Sequence, residues 1–290
     1  MRNRRANLKS ESYLSMSNGR RIRKILISTL PRSGTVFFFD FMASLFAFEK
    51  LDPRFTGGFR PVPPEWNPYE HDRTYLDLKD GQVIAGHYSL NREIHQMLDG
   101  DELLGVYLYR DPRDVAVSAA LYIKYVLRHH FQHPLFSRLS EAEAISLMLS
   151  GGIIPLDDLP YEVTEKQQPY VVFGGMRYYC DNIYPWLEHP KVATLRYEEF
   201  TRCPEEALSH SLESVGVVVS KERIEALSKG KSFVGASGGR AINVEDKTSH
   251  FRKGIVGDYQ NHFTELHRSV CKLFIGDDLI RLGYEKDYSW

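Results

Sequence analysis

The chain has 290 residues, 42% hydrophobic and 26% charged, with a mean hydropathy of -0.36. That composition belongs to a folded globular protein and excludes the disordered, collagen-like and disulfide-scaffold classes. Thirty-seven Lys and Arg against 38 Asp and Glu leave a formal charge of -1, too balanced for electrostatics alone to drive binding to nucleic acid or an anionic membrane.

The balance breaks at the start. Residues 1–24 carry eight bases (Arg2, Arg4, Arg5, Lys9, Arg20, Arg21, Arg23, Lys24) against Glu11, and read as a flexible basic arm ahead of a single domain over residues 25–290. No apolar run follows the arm as a secretory signal requires, since Ser10 to Asn18 is polar. The most apolar window, Ile25 to Phe48, is broken by Pro31, Arg32, Ser33 and Gly34 and contains Asp40, so no membrane span is expected. Cys180, Cys203 and Cys271 are an odd number without metal-type spacing, which suits reduced thiols in the cytoplasm.

The first element is a β-rich apolar run, Lys24 to Thr29, which stops at Leu30-Pro31-Arg32-Ser33-Gly34-Thr35 and gives way to a helical pattern reaching about Phe48. Strand, tight glycine turn and helix in that order collect free backbone N–H groups and the positive helix end at one point, an anion cradle; an ordinary β-to-α connection is the alternative. Leu51 to Asp80, rich in Pro, Gly and aromatics, reads as an ordered loop. Gln82 to Ala85 predicts a second strand ending at Gly86-His87-Tyr88, and Leu103 to Tyr109 a third ending at Arg110. Asp111-Pro112 then opens a helix through Val126. Strand ends carrying Arg32, His87 and Arg110 would meet on the carboxyl edge of a parallel sheet, where α/β proteins bind ligands.

Further on, Glu141 to Ser150 reads as a helix, Gly151 to Tyr170 as a loop, and Gly174 to Leu187 as an aromatic helix. Lys191 to Arg196 predicts a fourth strand followed by Tyr197, then helices from Pro204 to Val215 and Ser220 to Ser228. The glycine-rich stretch Gly230 to Gly257 reads as a mobile flap, and Asn261 to Leu282 returns to helix. His129, His130 and His133 lack a Cys or carboxylate partner nearby, so they predict a solvated helix end and no metal site. The expected fold class is α/β, a central parallel sheet flanked by helices.

Three segments resemble the sulfotransferases that use 3′-phosphoadenosine 5′-phosphosulfate (PAPS). Thr29-Leu30-Pro31-Arg32-Ser33-Gly34-Thr35 is similar to that family's phosphosulfate loop. Tyr109-Arg110-Asp111-Pro112-Arg113-Asp114-Val115-Ala116-Val117-Ser118 is similar to its 3′-phosphate motif, with the same Arg-to-Ser spacing. Phe251-Arg252-Lys253-Gly254-Ile255-Val256-Gly257-Asp258 is similar to its C-terminal Arg-Lys-Gly segment. The resemblance implies a P-loop-like three-layer domain with PAPS as cofactor, adenosine 3′,5′-bisphosphate (PAP) as product and no metal. The first loop is not a Walker A, because it lacks the Gly-Lys-Ser/Thr ending.

By the same resemblance Arg32, Ser33, Gly34, Thr35, Val36 and Phe37 hold the 5′ end, and Arg110, Ser118, Arg252, Lys253 and Gly254 hold the 3′-phosphate. Tyr197 matches the tyrosine near the adenine, and Ser232-Phe233 the pair whose ring stacks on the base. Cytosolic members carry a Lys-Thr-His triplet that supplies the base; Ala85-Gly86-His87 keeps the histidine and loses the lysine. His87 is the expected base, with Asp52 or Glu49 as the carboxylate alternative, and Arg32 the cation at the leaving phosphate. The expected partner is a small organic acceptor, hydroxyl or amine, and the sequence leaves its identity and the oligomeric state open. A kinase-like phosphoryl transferase and a non-catalytic PAPS-binding module are the competing readings.

Overall fold

A computed structural model describes residues 22–51, 73–100, 102–128, 132–155, 170–231 and 233–290. Residues 1–21 of the basic arm, Asp52, His129 and His130 lie outside them. The strands among the described residues are β1 (Lys24–Thr29), β2 (Glu49–Lys50), β3 (Gln82–Gly86), β4 (Leu103–Tyr109), β5 (Gly152–Pro155), β6 (Tyr170–Phe173) and β7 (Val192–Arg196). The first helices are α1 (Thr35–Phe46), α2 (Arg92–Asp99), α3 (Pro112–Tyr125), α4 (His133–Arg138), α5 (Glu141–Ser150) and α6 (Gly175–Asp181). They are followed by α7 (Tyr184–Glu188), α8 (Tyr197–Arg202), α9 (Pro204–Glu213), α10 (Lys221–Gly230), α11 (Phe233–Ala236) and α12 (Glu265–Arg281). Two compact units result. One takes the described residues of Met1–Phe55, Tyr69–Arg110 and Ile183–Gly239, the other those of Asp111–Asn182 and Arg240–Trp290.

The first unit is built on a five-stranded, wholly parallel sheet in the order β2-β3-β1-β4-β7. Its inner strands are near-continuous apolar runs because helices cover both faces. On one face Ile25, Ile27, Val83, Ala85, Leu104, Val106 and Leu108 share a core with Phe38, Phe41 and Met42 of α1, Phe200 of α8, and Leu208 and Leu212 of α9. The Phe200 ring meets Phe38 and Phe41 edge-on at 5.1 and 5.3 Å, and each such buried ring contributes ~1.5 to 3 kcal/mol. On the other face Tyr107 stacks on Trp186 of α7 at 5.4 Å. Leu98 of α2 also lies so close to Gly105 that a Cβ there would come within 2.5 Å of its Cδ2. Helix, sheet and helix form the three layers. The strand order turns at β1, which has β3 on one side and β4 on the other. Ligands of open α/β sheets bind outside the strand ends at such a switch point.

Helix α1 stops two residues short of the sequence reading because Ala47 takes a left-handed conformation (φ 54°). The Phe48 N–H then turns back to the Ala43 carbonyl at 2.9 Å, closing the helix.

In the second unit α3, α5, α6 and α12 pack side by side around Met148, Met176, Cys180, Cys271, Ile275 and Leu279, all buried. Burial drives the Cys271 thiol up to about 12. The segment read as a loop contains β5, which pairs antiparallel with β6, Ile153 opposite Val172. That pairing is non-local, so no single window of sequence announces it. The aromatic helix splits into α6 and α7, since Pro185 in the first turn of α7 cannot continue a preceding helix. At the start of α12 His267 takes the Thr264 N–H on Nδ1 at 3.0 Å and donates from Nε2 to the Ala142 carbonyl at 2.8 Å, which fixes its tautomer. The glycine-rich stretch holds the short α11, and beyond it a loop stapled to itself. Asn243 and Asp246 donate their N–H to the carbonyls of Lys253 and Arg252 at 3.0 and 2.9 Å. The Arg240 guanidinium reaches the Arg252 and Phe251 carbonyls and Ser249 Oγ. No helix among the described residues is long and apolar enough to cross a membrane.

Candidate functional site

The loop after β1 carries the strongest local signature. Arg32 (φ 65°) and Gly34 (φ 82°) both sit in the left-handed region, with buried Ser33 between them. A non-glycine residue there costs ~1 to 2 kcal/mol, and such strain persists only where the surrounding structure holds it, most often at ligand-binding turns. The Ser33 Oγ is buried and has no hydrogen-bond partner among the described residues. Gly34 caps α1 and no side chain closes that end, so the Thr35, Val36 and Phe37 N–H groups present the positive helix end outward. An orphaned hydroxyl, a left-handed turn and uncapped N–H groups fit a phosphate-like anion. Gly34 also meets a steric limit, because a Cβ on it would lie 3.0 Å from the Tyr197 ring. Gly34→Ala is therefore expected to lower the melting temperature by several degrees, through ~1 to 2 kcal/mol of backbone strain plus the ring contact. An unchanged melting curve would refute the constraint.

His87 follows β3 directly. Its Nδ1 lies 2.9 Å from the Thr29 carbonyl and 3.1 Å from Thr29 Oγ1. A carbonyl only accepts, so Nδ1 carries the proton and Nε2 the lone pair. Thr29 Oγ1 is also 2.7 Å from Thr35 Oγ1, which links the histidine to the loop through one hydroxyl. Burial pushes the His87 pKa below 6.5, the Thr29 bond opposes this, and the Arg32 cation pushes the same way as burial. The imidazole is thus neutral near pH 7. Gly86 is required before it, since a Cβ there would stand 2.5 Å from the buried Tyr88 ring.

Arg110, at the end of β4, is buried and donates to the Arg32 carbonyl at 3.2 Å. Its guanidinium lies 4.6 Å from the centre of the Tyr197 ring. The first unit therefore gathers Arg32, Ser33, Gly34, Thr35, His87, Arg110 and Tyr197 at the carboxyl ends of its strands. Val36 is exposed and Phe37 half-buried on α1. Glu49 is exposed on β2. Ser232 lies outside the described residues, and of Phe233 only the backbone, at the start of α11, is described. His95, Asp99 and His189 place ligand-type atoms within 4.8 Å of one another. However, His189 Nδ1 already accepts the Lys191 N–H at 3.2 Å, which leaves the ring proton on Nε2.

In the second unit Ser118 is buried in α3, and Gly254 has φ 68°. Arg252 and Lys253 converge on one buried carboxylate, Asp258. Arg252 donates to Oδ2, and Lys253 Nζ to Oδ1 at 2.8 Å. Asn261 Nδ2 adds 2.9 Å to Oδ1, and His262 Nε2 stands 3.3 Å from Oδ2. These donors hold the Asp258 carboxyl far below the usual carboxylate range, against the cost of burial. The loop is tied to α3, because the Gly257 and Tyr259 N–H groups donate to Asp114 at 2.8 and 2.9 Å. Arg252 also pairs with Glu245. Thr29, Asp114, Glu245 and Asp258 were not singled out from the sequence. Thr29, Asp114 and Asp258 fall inside the three motifs, and for the two acids the available signal was a carboxylate one to six residues from the motif cations.

The family profile described as Sulfotransferase domain matches residues 23–283 and so runs through both units. Cytosolic sulfotransferase 3 of Arabidopsis thaliana is 25% identical over 270 residues, covering 91% of this chain and 77% of that protein. Sulfotransferase 2A1 of Macaca fascicularis is 21% identical over 258 residues, covering 83% and 78%. Among solved structures, mouse sulfotransferase SULT7A1 complexed with PAP aligns with a TM-score of 0.59 at 18% identity, over 89% of this chain and 84% of that one. Retinol dehydratase in complex with androsterone and inactive cofactor PAP aligns with a TM-score of 0.51 at 18% identity, over 90% and 82%. These likenesses carry the fold.

Proposed function

The chain belongs to the sulfotransferase domain family, and from that premise we propose that it moves a sulfuryl group from PAPS to the hydroxyl or amine of a small organic acceptor, with His87 as general base. The observation that carries the reading is the Thr29 hydroxyl, which joins the neutral His87 imidazole to the loop at the uncapped end of α1. When bound, PAPS supplies the sulfuryl group and leaves as PAP. His87 Nε2 takes the acceptor proton, and Arg32 sets positive charge against the leaving phosphate. Ser33 and the N–H groups of Gly34, Thr35, Val36 and Phe37 hold the 5′ end. Tyr197, Ser232 and Phe233 receive the adenine, while Arg110, Ser118, Arg252, Lys253 and Gly254 hold the 3′-phosphate through charge-assisted bonds. Fixed cations and N–H dipoles suffice for this chemistry, so the reading needs no divalent ion. We place one sulfotransferase domain at residues 25–290 and the protein in the cytoplasm, as the name of the Arabidopsis relative suggests.

The test is purified protein with isotopically labelled PAPS and a panel of phenols, alcohols and amines, read by mass. Gain of one sulfuryl group on an acceptor supports the reading. PAP binding without transfer to any acceptor would favour a silent binding module, and transfer from ATP with Mg²⁺ a kinase. Cofactor recognition has its own check by calorimetry. Arg110→Ala should weaken PAP binding about 10- to 100-fold, the equivalent of one or more charge-assisted bonds. It should leave adenosine 5′-phosphate, which lacks the 3′-phosphate, much less affected; equal losses would remove Arg110 from that role.

A further inference from the structure

We propose that Glu245 is an internal competitor for the cofactor's 3′-phosphate, occupying Arg252 until the nucleotide displaces it and so setting nucleotide affinity. The inference rests on the reading that Arg252 binds that phosphate. Arg252 is 9% exposed, with one terminal nitrogen on Asp258 and the other on Glu245. Its Nε is buried and has no hydrogen-bond partner among the described residues. The two carboxylates on Arg252 differ in kind. Asp258 is 2% exposed and also takes Lys253, Asn261 and His262, while the backbone on either side of it is fastened to Asp114. Glu245 is 28% exposed and sits on the loop closed by the Asn243-to-Lys253 and Asp246-to-Arg252 backbone bonds. Its side chain can swing into water without breaking either of those bonds.

Charge decides which partner yields. Arg252 and Lys253 are matched by Asp258 and Glu245, so the cluster is balanced before any ligand arrives. A phosphate reaching Arg252 would face the Glu245 carboxylate at close range, and the repulsion is relieved when the more exposed acid leaves. The phosphate's gain is then reduced by the Glu245 pair that it replaces. Neutralising Glu245 removes that discount while keeping a carbonyl oxygen for Arg252 to donate to.

Calorimetry with PAP and with adenosine 5′-phosphate on the full chain tests this, using the wild type, Glu245→Gln, Arg252→Ala and the double variant. Glu245→Gln should tighten PAP about twofold to fivefold, the range of a partly exposed ion pair, and leave adenosine 5′-phosphate unchanged. The gain should vanish in the Arg252→Ala background. If Arg252→Ala weakens both ligands equally, Arg252 does not hold the 3′-phosphate, and both that reading and this inference fall. If Arg252→Ala is selective for PAP but Glu245→Gln binds it no better, or worse, the inference alone falls and Glu245 orients Arg252 instead. Glu245→Ala, with melting temperatures measured for each variant, separates a binding effect from a folding one.

Discussion

His87→Ala should lower kcat at least ~100-fold, at the low end of what a positioned general base contributes, while PAP affinity and melting temperature stay near those of the wild type. The expectation rests on where the proton sits. Thr29 takes the Nδ1 hydrogen, so the lone pair on Nε2 is the group lost by the substitution. A histidine that merely finished β3 would instead disturb the loop through Thr29 and Thr35, and would show itself in nucleotide binding and melting. The pH profile gives a second readout. Neutral imidazole is the working form, and burial holds the His87 pKa below 6.5. Turnover should therefore persist as the pH falls through 6.5 and fail only below it. If His87→Ala keeps most of its turnover while Asp52→Asn or Glu49→Gln loses it, the base is a carboxylate.

Asp258→Asn should destabilise the fold by ~3 to 5 kcal/mol, as breaking one side of a buried ion pair does, and lower the melting temperature by on the order of 10 °C. The substitution leaves Arg252 and Lys253 facing an amide and removes the anion that Asn261 and His262 also share. Because the folded-state pKa is depressed, the carboxylate's contribution is complete above about 3.8, the carboxyl's ordinary value, and fades as the pH falls below it. The gap between wild type and variant should thus be wide at neutral pH and narrow in acid. A melting temperature unchanged at pH 7 would show that the cluster contributes nothing to folding.

Much of the first unit was legible because its signals are local. An apolar run ending in Pro-Arg-Ser-Gly gives β1, the turn and α1, and strands ending in His87 and Arg110 give the edge where the candidate residues stand. What escaped was non-local or hidden by residue type. Helix α2 follows an Asn91 cap that accepts the Ile94 N–H at 2.9 Å, and although its apolar residues fall on one face it is only eight residues long and buries just Ile94 and Leu98, a signal too brief to stand out. The β5-β6 pair joins residues on opposite sides of a long connection. Thr29 looks like one more β-branched strand residue, and only the meeting of two strand ends with α1 makes it a bridge. Asp258 was visible in the motif, but its four donors come from a turn whose shape Gly257 (φ 78°) and Asp114 impose.

The contact between Gly86 and Tyr88 also constrains how this branch can change. In cytosolic members the residue before the histidine is threonine, yet a side chain at position 86 would run into the Tyr88 ring, whose Cζ lies 2.5 Å from where its Cβ would be. Tyr88 is itself wedged, with its ring 5.3 Å from Tyr75 and its carbonyl taking the Trp186 indole N–H at 3.0 Å. Position 85 is tight as well, because Ala85 is buried in the packed layer under α1, which has no room for a lysine stem without repacking. Neither change toward the Lys-Thr-His triplet fits this packing as it stands: threonine at 86 needs the Tyr88 ring to move, and lysine at 85 needs room in the layer under α1. A smaller residue at Tyr88 would open position 86 but not position 85, which lies under α1, so the threonine and the lysine of the triplet each need their own compensating change.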